Sequence, residues 1–184
     1  MRLRALAALF GLVLLAAAPA RAADPENTLY MDVPAGRVVI ELRPDLAPKT
    51  VAHIKDLTRR GFYDGLTFHR VIAGFMAQTG DPKGNGTGGS GQTVPAEFNQ
   101  QAHFQRGTVG LARANDPNSG DSQFFICFKP APFLDGKYTI FGQVTQGMEY
   151  VDAIKKGDPD RNGQVDNPDR IVRMQIAADA AKKG

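Results

Sequence analysis

The chain of 184 residues has a single cysteine, Cys127, and only three histidines. One thiol excludes an internal disulfide, so the core must hold the fold unaided. Cys127 lies in the apolar run "QFFICF" (123–128), which reads as a strand, and is expected to be a buried, inert thiol. His53, His69 and His103 lack ligand spacing and a partner set of Cys or Glu, so no metal site is expected, and no cofactor. "SGDS" (119–122) offers a serine, but no histidine is placed to activate it. There is no Lys/Arg cluster interleaved with aromatics. The formal net charge of +3 comes from Arg2, Arg4 and Arg21; beyond residue 22 the charges balance at 19 against 19. Nothing in that balance points to nucleic acid. Internal repeats and interdomain linkers are absent too.

Long apolar runs are also missing. The stretch Ala5–Ala18 is too short to span a bilayer comfortably. Arg2 and Arg4 precede it and "APARA" follows, the pattern of an export signal cleaved after Ala22. Residues 1–22 are therefore assigned as a signal peptide and 23–184 as a single domain, exported and periplasmic, with no membrane span after cleavage. A retained anchor is the alternative.

The rest of the chain is rich in short strands. "TLYMDV" (28–33) and "RVVIEL" (37–42) flank turn residues and predict a hairpin. A helix is predicted over 47–60, opened by Pro48 and closed by Gly61. Strands follow at 66–72, 75–79, 108–114, 123–128 and 138–144, then a helix at 147–157, a strand at 170–177 and a frayed tail. Eight strands with two helices argue against a doubly wound α/β fold, which needs a helix after nearly every strand. In "QFFICF", alternation puts Gln123, Phe125 and Cys127 on one face and Phe124, Ile126 and Phe128 on the other. Two apolar faces imply a strand covered on both sides, as in a barrel with something bound outside.

"FHRVIAGFMAQTGD" (68–81) sets Arg70 and Gln78 among core-grade residues. Either two half-buried strands keep one wet face, or these polar groups are aimed at a ligand. His69, by alternation, should point to the face opposite Arg70. With "GTGG" (86–89), "SQFFIC" (122–127), "FLDGKYTIFGQV" (133–144) and "GMEYVDAI" (147–154), this stretch resembles the cyclophilin family of peptidyl-prolyl isomerases over essentially all of 28–177. The resemblance implies a mostly β fold, a closed eight-stranded antiparallel barrel capped by two α-helices, with a substrate groove on its outer surface. It implies Arg70 as the catalytic arginine and Gln78 as the residue that orients it. Phe75, Met76, Phe125 and Leu134 match the pocket for the proline ring, and Ala112 and Gln123 match groove residues. Phe133 stands where many eukaryotic members have tryptophan, and Tyr138 where histidine is common. Because alternation separates Phe75 from Met76, irregular backbone is expected just after Gly74.

The activity implied is cis–trans isomerisation of X-Pro bonds in folding exported proteins, by a monomer that binds proline-containing polypeptides and, with Phe133 in place of tryptophan, binds cyclosporin weakly. A non-catalytic binding module or holdase for extended Pro-containing segments is the alternative. One further segment stands out. "DPDRNGQVDNPD" (158–169) places Asp158, Asp160, Asn162, Gly163, Gln164, Asp166 and Asp169 on EF-hand loop positions. Asp169 in place of a bidentate Glu, and strand-like sequence after Pro168, favour a solvated acidic turn. "GNGTGG" (84–89) lacks the lysine and helix of a phosphate loop and reads as a flexible turn.

Overall fold

The computed structural model describes residues 24–180. The expected signal segment, 1–22, lies outside the described residues, as does the end of the tail. Strands β1 (Thr28–Val33) and β2 (Gly36–Leu42) form the predicted hairpin, with Val33 opposite Gly36. Alternation sends Leu29, Met31 and Val33, and on the partner strand Val38, Ile40 and Leu42, into the core. Helix α1 (Pro48–Arg59) buries Val51, Ile54 and Leu57 against the sheet. Its first amides are capped from far along the chain: the Glu97 carboxylate accepts from Lys49 N–H (3.0 Å) and Thr50 N–H (2.8 Å).

The remaining elements are β3 (Arg70–Ile72), β4 (Met76–Thr79), β5 (Thr108–Leu111), β6 (Phe124–Cys127), β7 (Ile140–Gln146), α2 (Met148–Ala153), β8 (Arg173–Ile176) and the short α3 (Ala177–Ala180). All strands lie in one antiparallel sheet of order β3-β4-β6-β5-β7-β2-β1-β8. The sheet curls until its ends meet, but "closed" overstates the result. β3 and β8 form no ladder. An isolated bridge, Thr67 to Arg170, joins the segments that lead into them, with Phe68 N–H donating to Asp169 O (2.9 Å) and Ile171 N–H to Leu66 O (2.8 Å). Gly65 at φ +81° and Pro168, which has no N–H, keep either side from being a regular strand there.

For the same reason the predicted strand 66–72 contracts to Arg70–Ile72. Its outer edge pairs with a loop: Val71 N–H donates to Gly163 O and Gly157 N–H to Val71 O, both at 2.8 Å. That pairing also explains the early end of α2, since Ile154 is already extended (ψ 132°) as the chain turns towards β3.

β6 has the two faces its sequence implies. Phe124, Ile126 and Phe128 join the large core enclosed by the sheet and α1. Phe125 and Cys127 belong to a second, smaller cluster with Met76, Phe104, Ala131, Leu134 and Ile140 on the outer surface. This outer cluster is the floor of the site.

Candidate active site

The groove over the second cluster encloses about 720 Å³. Its apolar end is built by Phe75, Met76, Phe125 and Leu134, with Tyr138, Phe133 and Ala112 at the margins. The expected irregularity is present: Gly74 takes φ +74°, Phe75 N–H closes a turn onto Ile72 O (3.0 Å), and β4 begins only at Met76. The turn lets Phe75 and Met76 line the same pocket. Phe125 is 5% exposed and stacks on Phe104, 5.7 Å between centroids. The two rings fit because residue 110 is glycine: a Cβ there would stand 2.6 Å from Phe125 Cζ and 2.7 Å from Phe104 Cε1. Tyr138 meets Phe125 edge-on at 6.0 Å, and Phe133 packs on Phe75 at 5.3 Å while remaining 59% exposed.

Arg70 and Gln78 are direct partners in the β3–β4 register, which puts both side chains on one face. Arg70 Nη1–H donates to Gln78 Oε1 at 3.1 Å. The chain of bonds continues to the glycine loop, whose Gly86 borders the groove. Gln78 Nε2–H donates to Gln123 Oε1 (2.9 Å), and Gln123 Nε2–H donates to Gly86 O (3.1 Å) and Gly88 O (2.8 Å). Gln123 thus stands behind Gln78 and ties it to the glycine loop. Burial lowers the Arg70 pKa from its ordinary value, with Tyr138 opposing, but a guanidinium stays protonated in a protein.

The loop read as a flexible turn is wrapped on two carboxylates. Asp81, 1% exposed, accepts from the N–H groups of Lys83 (2.8 Å), Asn85 (3.0 Å) and Gly86 (2.6 Å). Burial opposes its charge, yet those amides and that of Gly88 hold its pKa below the usual carboxylate value. Asp121 accepts from Ser90 N–H (3.1 Å) and Gly91 N–H (2.9 Å). A Cβ at Gly88 would lie 2.1 Å from Asp81 Oδ1, and one at Gly89 would lie 2.4 Å from Asp121 Oδ2. The glycines are there because the carboxylates come that close.

The acidic segment 158–169 proves to be part of the site. Asp158 and Asp166 both grip Arg161, and Asp169 accepts from Lys155 N–H (2.8 Å). The turn they stabilise puts Asn162 in the left-handed region (φ 54°), with its oxygens towards Arg70. Arg70 Nε–H donates to Asn162 O (3.0 Å) and Nη2–H to Asn162 Oδ1 (2.9 Å). Asn162, Gln164 and Arg113 all line the groove, roles that no sequence pattern marks. The Asn-Gly pair does mark a left-handed turn. No pattern links it to an arginine 92 residues away.

His69 departs from expectation. It lines the groove beside Arg70 instead of pointing away, because β3 starts at Arg70 and strand alternation does not reach back to residue 69. It is 6% exposed, and neither ring nitrogen has a partner of hydrogen-bonding geometry, although Gln123 and the Thr67 backbone stand nearby. Cys127 is fully buried, and burial, with Asp135 nearby, pushes its thiol up to about 12, out of reach of nucleophilic chemistry.

The family model for cyclophilin type peptidyl-prolyl cis-trans isomerase/CLD matches residues 28–176. A probable peptidyl-prolyl cis-trans isomerase of Brucella suis is 54% identical over 187 residues, covering 95% of each chain. Peptidyl-prolyl cis-trans isomerase B of Bacillus subtilis is 46% identical over 123 residues, covering 66% of this chain and 85% of its own. Among solved structures, a cyclophilin of Cryptosporidium parvum, crystallised in the presence of the dipeptide Ala-Pro, superposes with a TM-score of 0.75 at 30% identity, covering 81% of this chain and 98% of that one. A groove with a clamped arginine over an aromatic pocket, on an eight-stranded curled sheet, and matches of this extent have one reading: the chain belongs to the cyclophilin-type peptidyl-prolyl cis-trans isomerase family.

Proposed function

We propose that this isomerase turns X-Pro bonds by aiming the Arg70 guanidinium at the prolyl nitrogen, and that its substrates are exported proteins as they fold. The X-Pro bond resists rotation because resonance gives C–N partial double-bond character, with a barrier of about 18–20 kcal/mol. Twisting the bond makes the prolyl nitrogen pyramidal and localises its lone pair. A donor at that lone pair stabilises the twisted state more than the planar one, which is what lowers a barrier.

The observation that carries this reading is the fixed guanidinium beside an apolar pocket. Three bonds, to Gln78 Oε1 and to both oxygens of Asn162, set its plane. Phe75, Met76, Phe125 and Leu134 form the apolar end of the groove, with Met76, Phe125 and Leu134 buried, a surface that suits a pyrrolidine ring. With the ring held, the acyl side is free to turn, and the low dielectric strengthens the bond that Arg70 makes. No nucleophile or proton transfer is needed. The export signal at residues 1–22 supports a periplasmic setting, with a monomeric mature chain starting at Ala23.

The test is Arg70→Ala, with thermal stability, peptide affinity and the isomerisation rate of a short X-Pro peptide measured together. The expected outcome is a loss of about a hundredfold or more in kcat, the scale of one removed transition-state donor. Fold and peptide affinity should be largely kept. Unchanged turnover by a folded variant would overturn the mechanism.

A further inference from the structure

Beyond residue 22 the chain carries 19 Lys and Arg against 19 Asp and Glu, so the body of the protein is formally neutral. Its groove is not. Arg70, Arg113 and Arg161 line it, and among the described residues no carboxylate does. The three arginines differ in how their charge is met. Arg161 is neutralised by Asp158 and Asp166. Arg70 is held by neutral oxygens and is committed to the rotating bond. Arg113 has no carboxylate within ion-pair distance among the described residues. Its Nε–H and one Nη2–H donate to Lys137 O (3.3 and 3.0 Å), and Nη1–H donates to Ala114 O (2.9 Å) and Asn115 O (3.3 Å). Its guanidinium lies over the Tyr138 ring at 4.5 Å. These contacts fix the group in place, leave its charge unbalanced and leave an Nη2 hydrogen uncommitted.

We infer that the groove selects proline peptides bearing a carboxylate side chain close to the proline, and that Arg113 is the residue that reads it. This rests on the isomerase reading and adds the substrate class. Tyr138 joins Arg113 to the ring pocket, since it meets Phe125 edge-on. Those two steps place the charge no farther than about 11 Å from the Phe125 ring on which the proline would sit, and an extended chain advances about 3.3 Å per residue, so the reach is about three residues. Low-dielectric walls focus the field of such a charge along a groove. A glutamate there gains an uncompensated partner, and a lysine meets repulsion, so discrimination has an attractive and a repelling half.

The experiment uses three X-Pro peptides that carry Glu, Ala or Lys within three residues of the proline, on each side in turn. The full mature chain is assayed for kcat/KM and for peptide affinity at low ionic strength and again at about 0.5 M salt, where surface charges are screened. The expected result is a preference for Glu over Lys of about fivefold or more on one side of the proline, shrinking at high salt and collapsing towards one in Arg113→Gln. Arg113→Lys, which keeps the charge, should restore part of it. Equal values for Glu and Lys, or a ratio unchanged in Arg113→Gln, would overturn the assignment while turnover of the Ala peptide left the isomerase reading intact. If none of the peptides were turned over, the isomerase reading would fall, and the Glu-to-Lys affinity ratio would still decide the charge selection.

Discussion

Asn162 holds Arg70 twice, through its backbone carbonyl and through Oδ1. The first contact depends only on where the turn places the backbone. The second depends on the side chain, so the two can be separated. Asn162→Gly tolerates the left-handed conformation (φ 54°) and keeps the carbonyl but removes Oδ1. We expect kcat to fall about tenfold, a change of about 1.4 kcal/mol in barrier, with peptide affinity little changed. Steady-state rates and a peptide titration on the same sample check it. An equal fall in affinity would show that Asn162 binds substrate instead of positioning Arg70.

Phe125 should show a combined loss. It is 5% exposed, stacked on Phe104 and more deeply set than a residue bordering a groove need be. Phe125→Ala should lower stability by about 3–4 kcal/mol and weaken both peptide affinity and turnover, since it empties the ring pocket. Phe104→Ala, at 0% exposure, should match it in stability and affect peptide affinity less. Chemical denaturation and peptide titration of the two variants separate core from pocket.

His69 gives the stability a pH dependence. Burial lowers its pKa from the ordinary 6.5, and the charge of Asp81 opposes that shift. Below about 6.5 the unfolded chain takes up the proton before the folded one does. Stability contributed by the neutral ring is therefore present above that value and lost as pH falls towards the lower folded one. Melting temperature measured from pH 8 to pH 5 should decline more steeply for the native chain than for His69→Asn. Parallel curves would mean that the folded protein protonates His69 as readily as the unfolded chain does.

Phe133 offers a pharmacological test. Its ring is 59% exposed on the groove wall, against Phe75. A phenyl group supplies apolar contact but no donor. Cyclosporin should inhibit the native chain weakly, and Phe133→Trp should tighten inhibition by about 1–2 kcal/mol, the scale of one hydrogen bond. Turnover should change far less, because Arg70 supplies the donor to the twisted bond. Inhibition curves on one peptide decide the matter. Tight inhibition of the native chain would place the drug's contacts elsewhere.

Much of this architecture was legible beforehand because it is local. Alternation in "QFFICF" sorted Phe124 and Ile126 from Phe125 and Cys127, and the two clusters follow that division. Pro48 and Gly61 bracketed α1 correctly to within a residue or two. What escaped is made by contacts remote in sequence. β3 contracts because Gly65 and Pro168 interrupt pairing before it, its outer partner is a loop some 90 residues on, and the same loop supplies Asn162. The acidic residues of that loop fall on EF-hand spacing but read as a solvated turn, with no partner named for them. Asp158 and Asp166 turn to Arg161, a choice that depends on three-dimensional placement and leaves no mark on the spacing. His69 was misplaced for a related reason: alternation holds only inside a strand, and the strand begins one residue later.

The loop along β3 has a kinetic consequence. Val71 N–H is bonded to Gly163 O, and Val71 O accepts from Gly157 N–H, so the backbone of the strand that carries Arg70 is shielded by a segment whose regular structure is a single 3-10 turn, Pro159–Arg161. An amide in that position trades its proton for solvent deuterium only when the shielding segment lifts. Lifting it carries Asn162 away with Gly163. Deuterium uptake at Val71 is thus a clock for how often the guanidinium comes loose, and it can be read from the resting protein with no peptide bound.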